Sequence, residues 1–129
     1  MPFLALLLLL ASFVSNAEED GLVLKGDLRV YLPRSGNILF INTKLIEHQS
    51  APKIISEQQC LLNDMAMCNF ELLYQLKNIN RSKQHTVDID INYQISNKQQ
   101  TYKTSFNVPS ISNPEIMNII IQIPSHPIP

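Results

Sequence analysis

From Leu22 onward the chain alternates apolar and polar residues over long runs. Leu22, Leu24, Gly26, Leu28, Val30 and Leu32 share one parity; Val23, Lys25, Asp27, Arg29 and Tyr31 share the other. Val87, Ile89, Ile91, Tyr93 and Ile95 stand opposite Asp88, Asp90, Asn92 and Gln94. Phe70, Leu72, Tyr74 and Leu76 repeat the rhythm, as do Met117, Ile119, Ile121 and Ile123. A period of two marks a strand with one buried and one wet face. β-branched and aromatic residues fill these runs, which suits a pleated surface. The pattern predicts strands over Leu22–Leu32, Ile38–Glu47, Lys53–Gln59, Asn69–Leu76, His85–Ile95, Gln99–Phe106 and Glu115–Ile123. Seven short strands at this spacing predict an all-β domain: a single small β-sandwich of about seven antiparallel strands, or a partly open barrel. Gln59–Leu76 also admits one or two helical turns.

The punctuation agrees. Pro33-Arg34-Ser35-Gly36-Asn37 reads as a turn, in which Pro presets one dihedral and Gly accepts a positive one. Ser96-Asn97-Lys98 reads as a tight hairpin. Pro109 and Pro114 bracket a polar loop. Pro124-Ser125-His126-Pro127-Ile128-Pro129 cannot extend a hydrogen-bonded ladder, because Pro lacks the N–H.

The first residues are of another kind. Phe3 to Val14 is almost unbroken Phe, Leu and Ala, shorter than the about 20 residues that span a bilayer. Ser15 and Ala17 put small side chains at the third and first positions before a cut, and Glu18-Glu19-Asp20 follows. This predicts a signal peptide over residues 1–17, cleaved between Ala17 and Glu18. An uncleaved anchor is the alternative. Residues 18–129 then form one domain with a Pro-rich tail at 124–129, exported to the periplasm or secreted. No later stretch is long enough for a membrane helix.

Export bears on the cysteines. Cys60 and Cys68, the only two, meet an oxidising compartment and flank a connection between two strands. A disulfide is expected, worth about 2–3 kcal/mol for so short a loop; two buried thiols are the alternative. No His lies at metal-ligand spacing from either Cys.

The 129 residues hold 10 Lys and Arg against 11 Asp and Glu, a net charge of −1 without long runs of either sign. That balance speaks against nucleic acid as a partner. His48, His85 and His126 are isolated in sequence, and three glycines leave no phosphate-cradling loop. Asp88 and Asp90 share one strand face, where paired carboxylates can serve acid–base work or bind calcium; a solvated strand face is the plainer reading. Asn80-Arg81-Ser82 fits a glycosylation acceptor. No enzyme activity, cofactor or metal is therefore expected. What remains is surface: edge strands whose free N–H and C=O groups can pair with an extended partner. Tyr31, Phe40 and Tyr102, aromatics placed on the outer faces of their strands, are the candidate partner-binding residues; half-buried packing is their ordinary role.

Gly26–Leu45, with its alternating strand, Leu32-Pro33 turn and second alternating strand, is similar to the opening of the YbaY/YscW-like lipoproteins of Gram-negative bacteria. Ala51–Gln59 resembles their next segment. Phe70–Ile95, a Phe-x-Leu-x-Tyr strand, a linker with a basic turn and a strictly alternating strand, resembles them most closely. Thr101–Pro109 and Met117–Ile123 fit their last two strands. The resemblance implies a β-sandwich without enzyme activity. It also implies a pilotin-like or chaperone-like module that binds a protein partner, a secretin or another envelope protein, in secretion or outer-membrane assembly. The lipidated Cys that follows the leader in that family is Glu18 here, so a soluble periplasmic or secreted protein is expected, monomeric or weakly oligomeric. The alternative is a secreted effector or inhibitor of an external protein.

Overall fold

The computed structural model describes residues 21–33, 36–60 and 67–124. The predicted leader with its Ala17–Glu18 cut, and the tail beyond Pro124, lie outside these residues. Seven strands form: β1 (Gly21–Tyr31), β2 (Asn37–His48), β3 (Lys53–Cys60), β4 (Met67–Gln75), β5 (Gln84–Ile95), β6 (Lys98–Asn107) and β7 (Met117–Gln122). Each begins and ends within two residues of the alternating run that predicts it. Where a helix was the alternative, Met67–Gln75 is strand, followed by a single 3-10 turn at Leu76–Asn78.

The strands make two sheets rather than a barrel. One has four strands in the order β3-β2-β5-β6, the other three in the order β4-β1-β7. The predicted parity holds: Leu24, Leu28 and Val30 of β1, Phe70, Leu72 and Tyr74 of β4, and Val87, Ile89 and Ile91 of β5 are all buried between the sheets. Burying such side chains contributes about 1.5–3 kcal/mol each before the entropy of ordering them is set against it.

One pairing departs from the antiparallel expectation. β7 lies parallel to β1, Gly26 opposite Met117 through Tyr31 opposite Gln122, while every other pair is antiparallel. The connection after β6 is responsible. It leaves the sandwich at the end where β1 begins and crosses beneath it, held by the Val108 amide on the His85 carbonyl (2.9 Å) and the Tyr74 hydroxyl on the Ile111 carbonyl (2.6 Å). A short crossing at that end obliges β7 to run in the direction of β1. Ile111 is buried there, so the loop read as polar carries an apolar plug.

Two glycines matter by close approach. Gly26 sits opposite Phe70 in the β1–β4 ladder, and a Cβ at Gly26 would stand 2.1 Å from the ring's Cζ. The missing side chain lets the ring lie across β1. Gly36 does not take the positive φ expected of it; its constraint is the Gln94 carbonyl, 2.7 Å from where a Cβ would be. The positive angles fall at Ser96 (52°) and Asn97 (65°), the two residues between β5 and β6. Two successive positive φ values are the primed turn whose twist suits a two-residue hairpin.

Candidate binding surface

The sandwich has two open flanks, and they differ. On one, β3 of the four-stranded sheet meets β4 of the three-stranded sheet. Cys60 ends β3 and Cys68 begins β4, and they form the expected disulfide with Cα atoms 5.8 Å apart. Both are buried, so the bridge is a staple between sheets. Further along, Gln58 Oε1 accepts the Glu71 amide of β4 (2.7 Å), and the Gln58 carbonyl accepts from the Thr43 hydroxyl (3.0 Å). The flank opens only past that point, into a groove among Val23, Ile54, Leu73 and Gln75, with Lys53 at its mouth.

On the other flank β6 and β7 do not close on each other. A groove of about 590 Å³ runs between Phe106 and Val108 on one wall and Ile116, Met117 and Ile119 on the other, with Leu24 beneath. Ile116 and Ile120 stand 63% and 67% exposed beside it.

At the base of the sandwich is a buried charge that parity alone places correctly. Glu47 continues the inner face of Ile41, Thr43 and Leu45, and His85 continues that of Val87 and Ile89. The two are direct partners in the β2–β5 ladder. Glu47 is 1% exposed; its Oε1 accepts from His85 Nε2–H (3.0 Å) and the Asn80 amide (2.7 Å), and its Oε2 accepts from the Gln49 side chain. Burial pushes the carboxyl pKa up, but the Asn80 amide, His85 and Gln49 outweigh it and hold the group below its ordinary value of 4.5. His85 is thus a buried structural residue, not a stray surface one. It fastens β5 to β2, while the Asn80 amide on the same Glu47 oxygen ties the β4–β5 turn to β2.

The outer face of the four-stranded sheet carries a second polar network. His48 Nε2 bonds Thr86 Oγ1 (2.8 Å), Thr86 Oγ1 donates to Asp88 Oδ1 (2.8 Å), and Ser105 Oγ donates to the same oxygen (2.7 Å). Because the Thr86 proton goes to Asp88, the imidazole must be the donor to Thr86. His48, Asp88 and Ser105, with Lys44, Asp90 and Lys103, line a shallow concavity. Ser105 gives its proton to a carboxylate and not to an imidazole, so the order of donors ties neighbouring strands together rather than arming a nucleophile. Among the described residues, no three His, Cys, Asp or Glu side chains converge to hold a metal.

The three aromatic candidates are not brought together. Tyr31 lies on the outer face of β1, 52% exposed, and Phe40 on the outer face of β2, half-buried, in the other sheet. Tyr102 faces inward and packs on the core, contrary to the outer placement expected of it. Its parity matches Phe106, whose inward side the sequence rhythm of β6 is too polar to reveal. Asn80 and Ser82 lie exposed in the β4–β5 turn, where Asn80 Oδ1 accepts from the Ser82 hydroxyl (2.6 Å).

This arrangement defines a small all-β sandwich with one stapled and one open flank. The fold is similar to that of an alternative pilotin from the type II secretion system of Vibrio cholerae, with a TM-score of 0.55, over 79% of this chain and 96% of that one. Sequence identity is 14%, so the likeness is one of fold. Neither a protein family nor a curated protein sequence matches the chain.

Proposed function

We propose that this protein is a non-catalytic module that binds a segment of another protein, pilotin-like or chaperone-like, in the periplasm of a Gram-negative envelope. The observation that carries the reading is the open flank: an apolar groove beside a free sheet edge, on a fold shared with a pilotin. Kinship with the YbaY/YscW-like lipoproteins belongs to the same proposal. Its support is the match of their strand rhythm to the seven strands. Absence of catalytic activity is supported by polar networks that close on themselves at Glu47 and Asp88. Described residues contain no helix long and apolar enough to cross a membrane. A partner in secretion or outer-membrane assembly, such as a secretin, suits such a module.

The test is fractionation of cells making the tagged protein, followed by cross-linking and mass spectrometry of what it holds. Recovery from the periplasmic fraction, cross-linked to an envelope protein, is the expected result. Recovery from the medium with no envelope partner replaces this reading with that of a secreted effector, and retention in the cytosol removes both.

A further inference from the structure

The two sheets are unequal. Four strands face three, and the strand that lacks a counterpart is β6. Exposure records the deficit. Val87, Ile89 and Ile91 on the inner face of β5 are fully buried, whereas Tyr102 and Phe106 on the inner face of β6 are only half-buried, although both pack against the core. The vacant place opposite them lies against the free edge of β7, where the groove opens.

That edge is unlike the others. Sheet edges are commonly guarded by charges, which discourage pairing with another chain. β3 carries Lys53 and Glu57, β4 carries Glu71, and β6 carries Lys98 and Lys103; β7 alone among the four edge strands has no charged residue. The Ile123 amide donates to the Tyr31 carbonyl of β1 (3.0 Å). Backbone groups alternate sides along a strand, so Asn118, Ile120 and Gln122 turn their N–H and C=O toward the vacant side.

We propose that β7 accepts an extended segment of a separate protein, which pairs with Asn118, Ile120 and Gln122, becomes the fourth strand of the smaller sheet, and covers Tyr102 and Phe106. This rests on the reading of the protein as a binding module and names where and how it binds. The occupant's chemistry follows from the groove. Alternate residues facing the core must be apolar. Among the described residues Glu115 is the one charged side chain lining the groove, which favours a basic residue at that end. The chain's own flanking segments do not fit. Glu18-Glu19-Asp20 has the wrong charge, and Pro124, Pro127 and Pro129 remove the donors that a ladder needs. The β4 edge is a poorer acceptor, because Gln58 already holds the Glu71 amide.

The test uses isotope-labelled purified protein and an end-blocked synthetic peptide, Lys-Val-Thr-Val-Thr-Val-Thr, beside the same peptide N-methylated at alternate residues. Hydrogen exchange at Asn118, Ile120 and Gln122 should slow by about tenfold or more with the plain peptide, as a new ladder requires. The N-methylated peptide should leave those amides unchanged. In the protein, Ile120→Pro removes only an outward N–H and should abolish binding while the melting curve stays cooperative. Equal binding of both peptides, a helical bound peptide, or no protection at millimolar peptide overturns the proposal. So does a free protein already dimeric through β7, which assigns the edge to a second copy. Protection confined to Leu73 and Gln75 overturns strand addition at β7 yet leaves the binding-module reading standing; absence of any envelope partner in cells strikes that reading instead.

Discussion

The β3–β4 flank and the β6–β7 flank solve the same problem in opposite ways. Both are places where two sheet edges come near each other with unsatisfied backbone groups. The first is shut by the Cys60–Cys68 bridge and by a side-chain amide that caps the Glu71 N–H, and its strand β4 is anchored inward by the Phe70 ring lying over Gly26 of β1. The second has no staple, no charged guard on β7, and half-buried aromatics beneath. A small domain has little surplus burial to lose. Leaving one flank uncovered is tolerable because the other is held covalently. The difference separates stability from recognition: substitutions on the stapled flank should act on folding, and those on the open flank on binding.

The largest expected effect tests the stapled side. Phe70→Ala removes a fully buried ring above a glycine that cannot refill the space, and should lower unfolding free energy in urea by about 3–5 kcal/mol. Next is the bridge. Replacing both Cys60 and Cys68 with Ala should cost about 2–3 kcal/mol, and hydrogen exchange should quicken at Glu71 without changing at Ile120; equal quickening at both would erase the distinction between the flanks. Glu47→Gln should cost about 1–3 kcal/mol, since a buried charge-assisted network loses its charge and one of its two acceptor oxygens. It should also flatten the acid limb of the stability profile. The Glu47 carboxyl has a lower pKa folded than unfolded, so its contribution is present above pH 4.5 and lost as pH falls through the folded value. Thermal melts of the two proteins from pH 7 to pH 3 should therefore converge at the acid end. The smallest effect belongs to the open side: Ile120→Lys and Tyr31→Ser should each shift stability by no more than about 0.5 kcal/mol, measured by the same melts, with Ile120→Lys alone abolishing peptide binding at β7.

Much of this was legible in the chain. The span of every strand was, and β1, β4, β5 and β7 also showed their buried face as a period of two. The Cys60–Cys68 bridge was legible from an even cysteine count and a short spacing between two strands. Glu47 and His85 were legible in principle: both keep the parity of the inner face, but an ionisable residue at the end of an apolar run reads as the strand's wet terminus. The placement of Tyr102 was missed because β6 alternates among Gln, Thr, Ser and Lys, leaving too weak a contrast to tell inside from outside. The open flank had no signal, for it depends on which strands become edges.

Alternation is a local property, set by side chains two residues apart, so the chain alone determined the strands, the faces of those with strong apolar contrast, and the all-β class. Order and direction are not local. The parallel course of β7, the four-against-three division, the meeting of Glu47 with His85 and the vacancy beside β7 follow from the route of the connections and from pairings between residues far apart. The tertiary structure decided these because a strand's backbone can pair with any neighbour, and only the packing of the two faces chooses which.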